Sequence, residues 1–215
     1  MPTDTTTHIT FVLDSSGSMS TIRDDTIGGF NTFLADQQDE PGRASVTLYD
    51  FNSGVEQVYE GKPISKAPEL DEETYTPGGQ TALHDAIATA VIETDDHIEK
   101  LPAAVQPETV IVVVLTDGKE NASETPQERV SELVETYRTE HDWEFLFIGA
   151  NQDAALTARK MGMNADKSLD MSHSGEGAQA AYESTSRNVR EARQQGEAGG
   201  FTNEDRQRQS EADDS

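Results

Sequence analysis

Cysteine is absent from the 215-residue chain, which excludes a disulfide framework and any thiolate chemistry. Long apolar runs are missing too. No stretch approaches the roughly 18 consecutive apolar residues of a membrane helix, and the amino terminus, Met1-Pro2-Thr3-Asp4-Thr5, lacks the basic start and apolar core of a secretory signal. These absences lead us to expect a cytoplasmic protein with no membrane span. Positive charge is the scarcest commodity: 16 Lys and Arg stand against 41 Asp and Glu, a formal net charge of -25. A surface of that sign repels phosphate backbones, so nucleic acid is not expected as a partner. The acids are dispersed rather than gathered in one tail. That distribution reads as halophilic adaptation to a high-salt interior, the alternative being a dedicated basic partner.

What is present is a regular alternation of apolar strands and amphipathic helices. Strands are expected at 8–13, 44–51, 55–60, 110–115, 144–149 and 167–171. The run Val110-Ile111-Val112-Val113-Val114-Leu115 is β-branched almost throughout, as suits a central strand covered on both faces. Asn52-Ser53-Gly54 supplies turn chemistry for a hairpin, which makes the following strand antiparallel and an edge.

Helices are expected after Thr21-x-x-Asp24, from Ala82, after the capping signal Thr125-Pro126-Gln127-Glu128, over 152–161 and over 175–195. The length suits one domain. The fold class is therefore α/β: a doubly wound, mostly parallel six-stranded sheet with one antiparallel edge strand and helices on both faces. Residues 1–7 read as a polar lead-in, 8–195 as the domain, and 196–215 as a polar, disordered tail in which Thr202-Asn203-Glu204-Asp205 caps at most one short turn.

The stretch that carries chemistry is Asp14-Ser15-Ser16-Gly17-Ser18, which ends the first strand. A carboxylate followed by hydroxyls at a tight turn gathers hard oxygen atoms around one point. Mg²⁺ takes such ligands in near-octahedral geometry while keeping several waters. Two further segments end in similar chemistry: Thr76-Pro77-Gly78-Gly79-Gln80-Thr81, and Leu115-Thr116-Asp117-Gly118 after the central strand. In a doubly wound sheet all three belong at the carboxyl ends of strands, where such folds bind ligands. Taken singly, Asp14 or Asp117 is as readily a turn or cap residue.

In these three segments, and in their order, the chain resembles the von Willebrand factor type A domain family, over about residues 8–195. That family's metal-ion-dependent adhesion site uses D-x-S-x-S on a first loop, a threonine on a second and an aspartate on a third. The resemblance implies metal contacts at Asp14, Ser16, Ser18, Thr81 and Asp117. It also implies Mg²⁺, or Mn²⁺, as the ion, and a protein partner that supplies an acidic residue to the coordination sphere. Stand-alone prokaryotic intracellular relatives act as accessory factors in multiprotein assemblies, so a non-enzymatic binding module is expected, with a last helix able to shift. The competing reading is a Mg²⁺-dependent phosphohydrolase with Asp14 as nucleophile. That chemistry calls for a second acid and a cationic side chain at the phosphoryl group; serines stand in the acid's place, and Lys119 is the one obvious cation. His84, Asn121, Ser15 and Ser20 are expected to be capping, turn or loop-supporting residues.

Overall fold

The computed structural model describes residues 6–150 and 153–214. Six strands form one sheet: β1 (Thr6–Asp14), β2 (Arg43–Phe51), β3 (Val55–Pro63), β4 (Thr109–Thr116), β5 (Glu144–Ala150) and β6 (Ser168–Met171). Their order is β3-β2-β1-β4-β5-β6. β3 runs antiparallel to β2 and every other neighbouring pair is parallel. The expected doubly wound sheet with one antiparallel edge is therefore the observed one.

Both faces of the central strands are covered, which is why their sequences show no polar alternation. Ile9, Phe11 and Leu13 of β1 pack with Ile111, Val113 and Leu115 of β4 under α1 (Arg23–Asp39) and α5 (Gly175–Gln195). Val12, Val112, Val114 and Phe147 face the other way, towards α2 (Leu83–Lys100), α3 (Gln127–Glu140) and α4 (Ala154–Lys160). On the first face the approach of α1 to α5 depends on Gly29, where an added Cβ would fall 2.1 Å from the Tyr182 ring. The Tyr182 ring in turn stacks on Phe11.

The order of the strands reverses direction between β1 and β4. Connections from these two neighbours leave towards opposite sides of the sheet, so a crevice opens at their carboxyl ends. Asp14 is the last residue of β1, and Asp117 follows the last residue of β4. Two carboxylates thus flank the switch point.

Three local expectations are corrected. Residues 196–215 are not a disordered tail over the described span: α6 (Asn203–Asp213) packs on α5 and the end of β6. It is held by a capping box in which Thr202 and Asp205 each accept from the other's backbone N–H. Gln209 also accepts from Ser172 N and donates to Gly177 O. Thr21-x-x-Asp24 does not cap α1. A 3-10 turn, Gly17–Ile22, leads straight into that helix, and the Thr21 hydroxyl is spent on Ser18 O and His173. Thr125 does not cap α3 either: the helix starts after Pro126 with no side-chain cap hydrogen bond, and the Thr125 backbone N–H donates to Asp85 at 2.8 Å. The expected lead-in loses Thr6 and Thr7 to β1, and its remainder, 1–5, lies outside the described residues, as does Gln152 of the helix expected over 152–161. No helix among the described residues is long and apolar enough to cross a membrane.

Candidate metal centre

The first loop is built by β1 ending abruptly inside the protein. Asp14 is fully buried, and both of its carboxylate oxygens are engaged. Ser16 N donates to Oδ1 at 2.6 Å, and the Thr116 hydroxyl, arriving on β4, donates to Oδ2 at 2.5 Å. Burial pushes the Asp14 carboxyl above the ordinary carboxylate range; the hydrogen bonds from Thr116 and Ser16 oppose that shift, and the charge of Asp117 adds to it. The backbone that follows is braced from three sides. Tyr75 Oη donates to Asp14 O at 2.5 Å, Ser15 N to Phe51 O at 2.7 Å and Gly78 N to Ser15 O at 2.8 Å.

A chain of contacts then runs to the third loop. Ser16 Oγ and Ser18 Oγ are 3.2 Å apart, and Ser18 Oγ donates to Asp117 Oδ1 at 2.5 Å. Residues 14–18 and 117, a hundred positions apart in sequence, therefore meet in one crevice. Thr81 joins them by a different route. Its side chain lies against Gly118, where an added Cβ would fall 2.5 Å from Thr81 Oγ1. Asn121 fixes it there: Asn121 Oδ1 accepts from Thr81 N at 2.9 Å, and Thr81 O accepts from Asn121 N at 3.0 Å. The second loop reaches this position because Gly79, at φ +80°, takes a backbone conformation that other residues resist, and an added Cβ there would fall 2.7 Å from Ser53 Oγ. Gly17 N donates to Gly79 O at 3.1 Å and closes the first loop onto the second.

Asp14, Ser16, Ser18 and Asp117 are thus linked in one crevice, and Thr81 lies against Gly118, the neighbour of Asp117. The supporting hydroxyls behave as loop braces. Ser15 Oγ donates to Asp50 and Ser20 Oγ to Gly17 O. His84 is the second residue of α2, and its backbone N–H donates to Glu120.

Sequence reasoning missed two residues. Asn121 passed as a turn former, although it anchors Thr81. His173, on the connection from β6 to α5, had no motif around it; its Nε2 lies 2.7 Å from Asp117 Oδ2 and 3.3 Å from Thr21 Oγ1. The serine pair flanking it, Ser172 and Ser174, joined at 3.0 Å, was the faint signal of a tight loop at a strand's carboxyl end.

The electrostatics ask for a cation. Two buried carboxylates share the crevice, burial raises the pKa of the nearby Asp50 to about 6, with Glu56 and then Asp14 adding to it against the Ser15 hydrogen bond, and among the described residues no Lys or Arg forms a salt bridge with Asp14 or Asp117. A buried carboxylate pair whose one ion-pairing partner among the described residues is the His173 ring is costly. Among the described residues no cluster of three or more Cys, His, Asp or Glu side chains has metal-binding geometry. The donors here are instead three hydroxyls and two carboxylates, a set that fits a small hard cation retaining its own waters rather than a tightly caged one.

The sequence model of the von Willebrand factor type A domain matches residues 8–195. No curated protein sequence matches the chain. Among solved structures, proximal thread matrix protein 1 from the mussel byssus, in a form with a zinc-occupied MIDAS motif, is similar at TM-score 0.61 and 17% identity, over 84% of this chain and 47% of that one. A von Willebrand factor type A protein from Catenulispora acidiphila is similar at TM-score 0.57 and 17% identity, over 86% and 43%. The pilus adhesin SpaC from Lactobacillus rhamnosus GG, in its open conformation, reaches TM-score 0.64 at 13% identity, over 87% and 30%. The chain spans less than half the length of each of these structures, and at such identities the likeness is one of fold.

Proposed function

The chain belongs to the von Willebrand factor type A domain family, and from that premise we propose that it binds a divalent cation, Mg²⁺ or Mn²⁺, and uses it to capture a carboxylate on a protein partner. Ser16, Ser18 and Thr81 would hold the ion through their hydroxyls, with Asp14 and Asp117 holding its waters. The ion would supply an electrophilic point for one further oxygen ligand. Few charged groups in the inner sphere keep that point strongly attractive to an incoming acid.

The observation that carries this reading is the convergence of three sequence-distant loops on two buried carboxylates that have no Lys or Arg salt bridge. A mussel byssus protein of the same fold is described with zinc in its MIDAS motif, and a bacterial pilus adhesin shares the fold. Binding is favoured over phosphoryl transfer by the state of Asp14. Both its oxygens accept hydrogen bonds from the protein's own Ser16 N and Thr116, an arrangement that orients a metal-facing carboxylate and holds back a nucleophile. Membership of a multiprotein assembly and a cytoplasmic setting belong to the same proposal.

Calorimetric titration with MgCl₂ and MnCl₂ tests the ion, and partner capture in Mg²⁺ against EDTA tests the bridge. Saturable binding that disappears in S16A and D117A, with capture lost in chelator, is expected. Equal capture in Mg²⁺ and EDTA would overturn the bridging role, and turnover of a phosphomonoester by the wild type would favour the hydrolase instead.

A further inference from the structure

The Ser172 amide lies one residue past the last rung of the sheet, since β6 ends at Met171 opposite Ala150. A buried N–H at that position needs a partner from elsewhere in the chain. Gln209 of α6 supplies it: its Oε1 accepts from Ser172 N at 2.8 Å, while its Nε2 donates to Gly177 O at 3.1 Å. One side chain thereby pins the end of β6 to the first turn of α5. The same short loop is closed on its other side, where Ser174 accepts from Gly177 N as the cap of α5 and an added Cβ on Gly177 would fall 2.4 Å from Ser172 O. Little room is left for it to move while Gln209 is in place.

Between these two serines stands His173, with Nε2 2.7 Å from Asp117 Oδ2. Ser18 holds the other oxygen, so the two contacts together orient the Asp117 carboxylate. A chain of contacts therefore leads from α6 through Ser172 and His173 to a side chain proposed to hold the cation's waters. α6 comes after residue 195, where the match to the family model ends. Its buried face consists of Asp205, Gln209 and Ala212, at helical spacing, and Ala212 is the one apolar residue among them. Its hold on the domain owes little to the hydrophobic effect and depends on single polar contacts.

We propose that Gln209 is a positioning residue for the metal centre: it holds the Ser172 amide and with it keeps the His173 ring on Asp117, so that the docking of α6 sets how tightly the cation is bound. The inference rests on the cation reading above and adds to it an element of this chain, outside the matched domain, that tunes the site. By linkage, an ion that binds better with α6 docked favours the docked helix by the same factor.

The test uses the full chain with ¹⁵N-labelled histidine. In metal-free protein at one pH the His173 ring nitrogens, assigned by their loss in His173→Ala, report the contact with Asp117, and Mn²⁺ calorimetry gives the affinity. Gln209→Leu, which keeps the bulk and removes both hydrogen bonds, should move the ring signal and weaken Mn²⁺ binding about tenfold. Asp205→Ala loosens α6 through Ser184 and Arg187 without touching the loop. It should move the same signal, and it carries the test where Gln209→Leu fails to fold. In a His173→Ala background Gln209→Leu should cost no further affinity, because the route through the ring is already cut. A loss that adds in full there shows a general structural role and overturns the proposal. An unmoved ring signal with wild-type affinity overturns it too. A wild type that takes up no Mn²⁺, with the ring signal still displaced in Gln209→Leu, overturns the cation reading and upholds the positioning of His173 by Gln209.

Discussion

The hydroxyl of Thr116 donates to Asp14 Oδ2 at 2.5 Å, tying the end of β4 to the end of β1 beneath the crevice. This bond crosses the switch point of the sheet, so it sets the spacing of the first and third loops and the orientation of the buried carboxylate at once.

Thr116→Val keeps the shape of the strand and removes the donor. A buried charged acceptor that loses a hydrogen bond costs about 1.5–3 kcal/mol, so denaturant unfolding should show a loss in that range. Mg²⁺ affinity measured by calorimetry should fall about tenfold or more, as supporting partners of metal ligands generally require. Unchanged affinity would mean that the bond serves the fold alone.

His173 occupies the far oxygen of Asp117 while Ser18 occupies the near one. His173→Ala frees that oxygen and should weaken divalent-ion binding by about 10–100-fold, whereas His173→Gln, which retains a donor, should recover part of the loss. The comparison is made by Mn²⁺ titration at one pH. An alanine variant with wild-type affinity would show that His173 does not position Asp117.

His8 gives the clearest pH signature away from the crevice. Its ring is buried on β1, with Nδ1 2.8 Å from Ser45 Oγ and Nε2 3.2 Å from Thr47 Oγ1, and burial, aided by the neighbouring His97, lowers its pKa from 6.5 to about 3. The unfolded chain therefore takes up a proton at a higher pH than the folded one. Its contribution to stability is intact above pH 6.5 and is lost as the pH falls from there towards 3. Asp50, with a folded pKa of about 6 against 3.8, works in the opposite sense over part of that range, so the readout is the difference between the wild type and His8→Asn. The stability gap between them should change by about 1.4 kcal/mol per pH unit below 6.5. A gap independent of pH would show that His8 is protonated in the folded state.

Asp205 joins α6 to α5 by accepting from Ser184 Oγ at 2.8 Å and from Arg187 Nη2 at 2.6 Å, besides closing its own capping box. Asp205→Ala should lower stability by about 2–3 kcal/mol, the sum expected for a lost cap and an uncompensated partner. Hydrogen exchange should then rise across 203–213 first. A silent substitution would detach α6 from the cooperative unit.

Net charge supplies the last expectation. Raising KCl from about 0.1 M to about 1 M shortens the Debye length from about 10 Å to about 3 Å, which screens the repulsion among 41 acids. The thermal midpoint should climb with KCl. A midpoint that falls would remove salt adaptation as the reason for the composition.

The sequence by itself determined what is local or periodic. Apolar runs buried on both faces announced the central strands, Asn52-Ser53-Gly54 announced the hairpin, and the acid and hydroxyls after the first strand marked Asp14, Ser16 and Ser18, to which the family resemblance added Thr81 and Asp117. These features are written in neighbouring residues, and backbone geometry alone brings their side chains to the carboxyl ends of the sheet. Tertiary structure decided everything that depends on a partner from elsewhere in the chain. His173 reaches Asp117 only because β6 lies two strands from β4 and its loop turns back; Asn121 seats Thr81 only once the second and third loops are stacked. The same holds for α6, whose mean composition is polar and whose anchoring is done by Asp205 and Gln209 through single hydrogen bonds to α5 and to Ser172. Apolar periodicity reports burial driven by water, but a polar side chain is buried by one matched donor or acceptor, and that match exists only in three dimensions.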